Sequence, residues 1–338
     1  MTAFSSALQD WFLKNRRAMP WRERRSVYAA VVSEFMLQQT QVATVIPYFE
    51  RWVSRWPDFE ALARADETQV LHAWEGLGYY SRARNLHRLA CEIVKRPSFP
   101  QCAADWQTFK GVGKYTAAAI ASIVQGERVP VIDGNVIRIL ARVTADKTVF
   151  KNTGTAIAHF AGTAEKFLSA KNPGVHNEAM MELGATVCTK LNPKCASCPV
   201  AKFCKGRHLK ELERLPRFVA KEIKKIELQR AFAKTENGEI LLERTAGTSK
   251  RLRELYEMPR WQTLFKGVPP PEKFLFKGKR AIAQESICEF IFAVPAPSKW
   301  PETIVPVPVA DLDKITFSGP HRRWIERILQ RGGSTRPL

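Results

Sequence analysis

The sequence lacks any apolar run long enough to cross a membrane. Its longest apolar runs, such as residues 117–124, are far shorter than the ~20 residues that span a bilayer. The first residues contain no apolar core followed by a small-residue cleavage site, so no secretory signal is expected. We also find no internal repeat and no low-complexity segment. These absences argue against most secreted and membrane roles. They predict a cytoplasmic protein without a membrane partner.

Acidic residues are scarce relative to basic ones. The chain has 33 Asp and Glu against 53 Lys and Arg, which gives a formal net charge of +20 and a pI of about 9.9. Such an excess favours polyanionic partners, because binding releases the counterions condensed on phosphates. The hydrophobic fraction of 45% and the charged fraction of 25% are those of a folded soluble chain and exclude wholesale disorder.

The length of 338 residues predicts two domains. Residues 1–204 carry apolar stripes at helical spacing, such as Phe4, Leu8, Trp11 and Phe12, separated by short turn signals, which predicts a compact all-α domain. Residues 205–224 are polar and charged and are predicted to be a linker. Residues 225–338 contain strand-like segments around an Asn-Gly hairpin turn and a helical tail, which predicts an α+β domain.

Four of the seven cysteines form a tight cluster with the spacing C-x6-C-x2-C-x5-C. They are Cys188, Cys195, Cys198 and Cys204. Four thiolates on one short loop can hold either a tetrahedral zinc ion or a four-iron cluster, and the spacing does not separate the two.

A glycine-rich turn at residues 109–120 precedes a helix of small residues. Gly111 and Gly113 allow a tight turn between two helices, and the amides at the start of the second helix are suited to binding a phosphate oxygen. The basic composition favours this interpretation over an ordinary glycine turn.

Two acidic residues are candidates for cleaving a glycosidic bond. Apolar neighbours surround Glu34, so its pKa is predicted to rise and the side chain can act as a general acid. Asp133 precedes a helical stripe and is predicted to be an N-cap with a low pKa that stays ionised. A protonated acid together with a carboxylate facing an oxocarbenium ion is the pattern for glycoside hydrolysis. A base within a duplex must first be flipped out, and Leu77 or Tyr79 is a candidate wedge for that step.

Taken in order, several motifs resemble those of adenine DNA glycosylases of the MutY type, within the helix-hairpin-helix superfamily that includes endonuclease III. The matching segments lie within residues 5–204 and are MPWR, SEFMLQQTQV, GLGYYSRARNL, GVGKYTAAA, VIDGNV, HNEAMMELGATVC and the cysteine loop. The resemblance implies that the cysteine loop holds a [4Fe–4S] cluster.

The resemblance also implies a role for each matching residue. Glu34 matches the acid that protonates N7 of the flipped adenine, and Asp133 matches the carboxylate that stabilises the oxocarbenium ion or transiently bonds to it. The other matches are Tyr115 and Asn135 around these carboxylates, Glu178, Trp21 and Arg22 at the adenine pocket, and Gln39, Thr40, Leu77 and Tyr79 around the opposite 8-oxoguanine. Endonuclease III-type enzymes have a Schiff-base lysine where this chain has Tyr115, which predicts a monofunctional glycosylase.

The C-terminal region resembles the MutT-like (Nudix-type) domain of the same family more weakly, through a hairpin followed by Leu255–Pro259. No Nudix hydrolase box is found, so nucleotide hydrolysis is not expected. The family reads 8-oxoguanine with a Phe-Ser/Thr-His loop, and the corresponding residues 282–286 lack both the Phe-Ser pair and the histidine. Phe317, Ser318 and His321 have a similar composition but sit at the terminal helix, which is predicted from about Ser318 to Gln330.

The sequence thus predicts a monomeric two-domain repair enzyme that acts on double-stranded DNA with adenine opposite 8-oxoguanine or guanine. One alternative is a glycosylase with another target, either thymine opposite guanine or a deaminated purine. Two further alternatives are a non-catalytic iron–sulfur DNA-binding protein and a zinc-dependent binding module.

Overall fold

The computed structural model describes residues 3–220, 222–245, 255–282 and 285–330. It divides into two units. The first comprises the residues up to Arg64 together with Asn85–Ala220, and the second comprises Ala65–Arg84 together with the residues after Ala220. No helix in the described ranges combines the length and apolarity that a membrane crossing requires.

The first unit is almost entirely helical, as predicted. Its helices are α1 (Ala3–Asn15), α2 (Pro20–Glu23), α3 (Val27–Leu37), α4 (Val42–Arg55), α5 (Phe59–Ala63), α8 (Ala103–Gln107), α9 (Lys114–Val124), α10 (Gly134–Thr144), α11 (Thr153–Phe167) and α12 (Pro173–Thr186). The second unit contains α6 (Glu67–Ala73), and α7 (Ser81–Lys95) begins within it.

Two pairs of packed helices carry the acidic candidates and place them in the same unit. Helix α3 packs against α9, and α10 packs against α12, which also contacts α9. The predicted stripe on α1 is confirmed, because Phe4, Leu8 and Phe12 are buried in the core. The apolar spacing from Leu62 to Trp74 also predicts a helical stripe, and the structure divides this stretch between α5 and α6.

The predicted linker 205–224 is mostly part of the first unit. Short 3₁₀ turns occupy Lys205–His208 and Leu212–Arg214, and β2 (Arg217–Phe218) pairs in parallel with β1 (Val149–Phe150). Leu212 and Leu215 are buried, so this polar segment is attached to the helices by a few apolar anchors. The first unit therefore extends beyond residue 204, to Ala220.

The second unit is built on a six-stranded sheet, in line with the predicted α+β class. Its strands are β3 (Lys224–Lys234), β4 (Ile240–Arg244), β5 (Tyr256–Glu257), β6 (Phe274–Ile282), β7 (Glu285–Pro295) and β8 (Ile304–Val307). The order is β5-β4-β3-β7-β6, and β8 also pairs with β4. The predicted hairpin is confirmed, since β3 and β4 are antiparallel and Gly238 adopts a φ of 83° between them.

The remaining helices of the second unit are α13 (Trp261–Leu264) and α14 (His321–Gln330). The tail helix predicted from about Ser318 thus begins at His321. Apolar residues of α14, including Trp324 and Ile325, are buried against the sheet core. Within the stretch predicted to correspond to the family's 8-oxoguanine loop, residues 283 and 284 lie outside the described residues.

Candidate active site

Glu34 and Asp133 line the same cavity. This cavity has a volume of about 220 Å³, well above the ~15 Å³ that one buried water needs. The residues lining it include Trp21, Arg22, Thr40, Tyr115, Asn135, Glu178 and Glu182. The first unit therefore brings the four catalytic candidates together with four of the predicted DNA-binding residues, although these residues lie far apart in the sequence.

Glu34 is buried on α3, a helix whose first turn is capped by Ser26. The Ser26 hydroxyl accepts a hydrogen bond from the amide of Ala29 at 3.0 Å. Only 7% of Glu34 is exposed, and among the described residues its Oε2 has no hydrogen-bond partner. A buried polar atom without a protein partner beside a cavity is available to hydrogen-bond a group that enters the cavity.

Burial raises the pKa of Glu34 to about 7. The Tyr115 hydroxyl opposes this shift by favouring the carboxylate, whereas the negative charges of Asp133 and Glu178 add to it. The predicted rise in pKa is confirmed, and its main cause is the removal of the carboxyl from water.

Asp133 caps the N-terminus of α10, as predicted. Its Oδ1 accepts from the amide of Val136 at 2.8 Å, and its Oδ2 accepts from Asn135 Nδ2 at 2.8 Å. The prediction of a low pKa is wrong, because burial raises the pKa of Asp133 above its ordinary value. The two hydrogen bonds and the nearby Arg138 cation act against burial and favour the anion.

Arg138 links the part of the cavity around Asp133 to the cysteine loop, and it was not predicted from the sequence. Its guanidinium donates to Asn135 Oδ1, to the Gly184 carbonyl and to the Cys188 carbonyl, each at 2.8 Å. A Cβ on Gly184 would lie 2.5 Å from Asn135 Cβ, so this glycine allows α12 to approach α10 closely. Arg138 lies three residues after Asn135, on the same helix face, and that spacing was the available signal.

An ion-pair network forms another wall of the cavity. Arg22 donates to Glu178 Oε1 at 2.9 Å and to Glu182 Oε2 at 3.1 Å. Arg25 donates to Glu178 Oε2 at 2.6 Å, and Arg17 donates to both oxygens of Glu182. Arg22 and Glu178 were predicted from the sequence, whereas Arg17, Arg25 and Glu182 were missed because their partners are more than 150 residues away.

Gln39 is exposed with a φ of 58°, and it does not line the cavity, whereas Thr40 does. In the second unit Leu77 is buried, and Tyr79 is 48% exposed with a φ of 49°. Of the two candidate wedges, Tyr79 is therefore the one with an accessible side chain.

The glycine turn has the predicted geometry. Gly111 has a φ of 91°, and a Cβ there would lie 2.4 Å from the Asn85 side chain, so only glycine fits. Gly113 is the N-cap of α9 and is exposed, which leaves the first amides of that helix open for an anion.

The four clustered cysteines face one cavity. Arg142 also lines this cavity, and its buried guanidinium donates to the carbonyls of Thr189 and Lys190 and to Cys188 Sγ at 3.4 Å. Burial raises the pKa of Cys198 to about 11, and the other three thiols contribute to the shift. Four thiols around one cavity beside a cation fit a thiolate-bound metal cluster. Within the described ranges, no three His, Cys, Asp or Glu side chains are arranged to hold a single metal ion.

Residues 32–161 match the family of HhH-GPD superfamily base excision DNA repair proteins. The human adenine DNA glycosylase is 43% identical over 226 residues, which cover 64% of this chain and 41% of the human protein. The adenine DNA glycosylase of Buchnera aphidicola (from Acyrthosiphon pisum) is 36% identical over 231 residues, covering 66% and 63% respectively.

The resemblance to adenine DNA glycosylases is confirmed.

This chain matches less than two thirds of the length of these adenine DNA glycosylases. Solved structures agree on the fold of the helical part. A thermostable thymine-DNA glycosylase has a TM-score of 0.53 at 22% identity. The match covers 60% of this chain and 94% of the thymine-DNA glycosylase chain. Endonuclease III bound to DNA has a TM-score of 0.51 at 17% identity, with coverages of 61% and 97%.

Proposed function

We propose that this protein is a monofunctional adenine DNA glycosylase that acts on adenine mispaired with 8-oxoguanine or guanine in double-stranded DNA. The observation that carries the proposal is the buried Glu34 carboxyl, whose Oε2 has no partner among the described residues and which shares its cavity with Asp133. The adenine DNA glycosylase relatives support the choice of adenine as the target base.

In the proposed reaction, Glu34 donates its proton to N7 of an adenine flipped into the cavity. The N-glycosidic bond then breaks, and its electron pair leaves with the protonated base. The sugar becomes an oxocarbenium ion facing the Asp133 carboxylate. Water then adds to the sugar carbon and loses a proton to the Glu34 carboxylate, which restores the acid and completes the hydrolysis. Asn135 and the Val136 amide hold Asp133 in place through the hydrogen bonds described above.

The adenine edge would meet Arg22 and Glu178, which already fix each other's orientation. The amides after Gly113 would bind a DNA phosphate, and Gln39, Thr40 and Tyr79 would contact DNA around the opposite base. We further propose that residues 225–338 form a MutT-like mismatch-recognition domain without hydrolase activity.

Single-turnover excision on a set of duplexes tests the proposed specificity. The set comprises adenine opposite 8-oxoguanine, guanine or thymine, and thymine opposite guanine. We expect rapid excision of adenine opposite 8-oxoguanine and guanine and little excision from the other two. Rapid excision of thymine opposite guanine would point to the related mismatch glycosylase, and no excision from any duplex would reject the enzymatic proposal.

Excision should slow as the pH rises through about 7, because Glu34 must carry its proton and its pKa is about 7. A side chain with this pKa loses about 25-fold of its protonated form between about pH 6.5 and about pH 8.5. At acidic pH the rate should fall again as Asp133 is protonated. Single-turnover rates across this range measure both limbs. A flat profile above pH 7 would contradict the role of Glu34.

Borohydride trapping should yield little covalent protein–DNA adduct. Tyr115 lines the cavity at the position that holds a lysine in Schiff-base-forming relatives, and none of the described residues that line the cavity is a lysine. A Tyr115→Lys variant is the positive control, because it places a lysine nucleophile at this position. Abundant adduct with the unchanged protein would overturn the monofunctional assignment.

Cys188, Cys195, Cys198 and Cys204 would hold a [4Fe–4S] cluster, which would cross-link the loop they share. The purified protein should be brown with broad visible absorbance and should contain iron. Cys198→Ala should lose most of both, whereas Cys91→Ala, outside the loop, should keep them. A colourless protein containing zinc would instead support a zinc site, since zinc has no such absorbance.

A further inference from the structure

In the loop from Glu75 to Tyr80, Tyr79 has a backbone conformation that is unusual for a tyrosine. Gly76 and Gly78 have φ values of 98° and 70°, and Tyr79 follows with 49°. A tyrosine rarely adopts a left-handed conformation and keeps it only where the surroundings impose it. In this conformation Tyr79 is 48% exposed, and its ring centroid lies 5.7 Å from the guanidinium carbon of Arg82.

Neighbouring residues in the chain hold one side of this loop. The Trp74 indole donates to the Gly78 carbonyl at 3.0 Å. The buried Arg82 guanidinium donates to the carbonyls of Leu77 at 2.8 Å and Gly78 at 3.1 Å. These bonds fix the carbonyls on either side of the glycine that precedes Tyr79.

The segment Thr316–Arg322, near the C-terminus, holds the other side. The Tyr80 hydroxyl donates to the Phe317 carbonyl at 2.6 Å, and the Phe317 amide donates to Glu75 Oε2 at 3.3 Å. Arg322 donates to both carboxylate oxygens of Glu75, with Nη2 at 3.1 Å from Oε2. A bidentate guanidinium–carboxylate pair fixes orientation as well as distance.

The segment Thr316–Arg322 is itself anchored in the core of the second unit. Phe317 is fully buried. The Tyr256 amide donates to the Thr316 carbonyl, and the Ser318 amide donates to the Tyr256 carbonyl, each at 2.9 Å. The segment therefore lies between β5 on one side and the loop Glu75–Tyr80 on the other.

We propose that Glu75 and Arg322 are positioning residues through which the C-terminal segment Thr316–Arg322 holds the loop so that Tyr79 can enter the DNA stack. This inference rests on the proposed function, because it assigns a task to Tyr79 at the mismatch. Through this contact, the C-terminal segment would contribute to mismatch recognition without a Phe-Ser-His loop at residues 282–286.

The matched pair for the test is Arg322→Ala and Arg323→Ala in the full chain. Both remove one cation from the same turn of α14, but Arg323 is exposed. We expect Arg322→Ala to slow single-turnover excision of adenine opposite 8-oxoguanine on the order of ten- to a hundredfold, since small misplacements have effects of this size. Arg323→Ala should change it by less than about twofold.

Repeating the Arg322→Ala substitution in a protein that lacks the Tyr79 side chain shows whether Arg322 acts through Tyr79. In a Tyr79→Ala protein, adding Arg322→Ala should cause no further loss, because the residue being positioned is already absent. A fully additive loss would overturn the inference. If Arg322→Ala fails to fold by circular dichroism, Arg322→Lys and Glu75→Gln replace it and should each give an intermediate loss.

A binding measurement separates this inference from the proposed function. With Glu34→Gln protein, 2-aminopurine placed beside the mismatch should brighten when Tyr79 enters the stack. The brightening should disappear with Arg322→Ala and persist with Arg323→Ala. If the unchanged protein excises no base but the 2-aminopurine brightening still depends on Arg322, the proposed function fails and the positioning role stands. If excision occurs and the two arginine variants behave alike, the positioning role is rejected.

Discussion

Glu34→Gln should lower the single-turnover rate of adenine excision by ~10²–10⁴, which is the usual loss when a general acid is removed. This corresponds to about 3–5 kcal/mol of transition-state free energy. Glutamine has nearly the same shape and can still donate a hydrogen bond, but it cannot transfer a proton to N7. The affinity for mismatched DNA should stay within a few-fold of wild type, because the ion-pair wall and the glycine turn are untouched.

Glu50→Gln is the matched control, because Glu50 is an exposed glutamate on the neighbouring helix α4. It should excise adenine at the unchanged rate. The slope of the rate against pH above neutrality should also disappear in Glu34→Gln, since the group that titrates at about 7 is gone. A Glu34→Gln protein with nearly full activity would show that the leaving base is protonated by another group.

The parts of the fold that could be predicted from the sequence are those fixed by local pattern. Helix α3 begins at a serine cap and buries a continuous apolar stripe, and α10 begins at the Asp133 cap. Both features act within a few residues, so the sequence alone contains them. The same holds for the β3–β4 hairpin, where Gly238 supplies the positive φ of the turn.

The parts that could not be predicted depend on contacts distant in sequence. The charged segment after Cys204 has the composition of a linker, yet Leu212 is buried and a Cβ on Gly206 would lie 2.4 Å from the Arg142 carbonyl. In the second unit, β3 pairs in parallel with β7 although about 50 residues separate them, and a period-2 pattern does not specify a partner strand. Tertiary packing decides both outcomes.

The candidate site shows the same division. Residue type and local environment pointed to Glu34 as an acid, and the structure agrees because the apolar neighbours of its own helix are buried with it. For Asp133 the local signal was misleading. Capping alone would lower its pKa, but burial of the carboxyl outweighs the hydrogen bonds and reverses the sign. The sign of a pKa shift depends on burial, and burial is a property of the whole fold.

Asp133→Asn should reduce adenine excision by on the order of 10²–10⁴, because the positive charge that develops on the sugar would lose its facing carboxylate. Asparagine is an equally good N-cap, so α10 should remain folded. The acidic limb of the pH profile should vanish while the limb near pH 7 stays, since Glu34 is intact. If Glu34→Gln loses the limb near pH 7 and Asp133→Asn loses the acidic limb, each limb of the pH profile is assigned to one carboxyl.

Asp58→Asn is the matched control for this change. Asp58 caps α5 by accepting from the Ala61 amide at 2.7 Å, which is the same kind of interaction as at Asp133, but it is not among the cavity-lining residues. Its asparagine variant should fold and excise adenine normally. If Asp58→Asn and Asp133→Asn reduced excision equally, the effect would come from helix capping, and Asp133 would have no electrostatic role. A loss confined to Asp133→Asn, together with the missing acidic limb, would show that its charge acts on the reacting sugar.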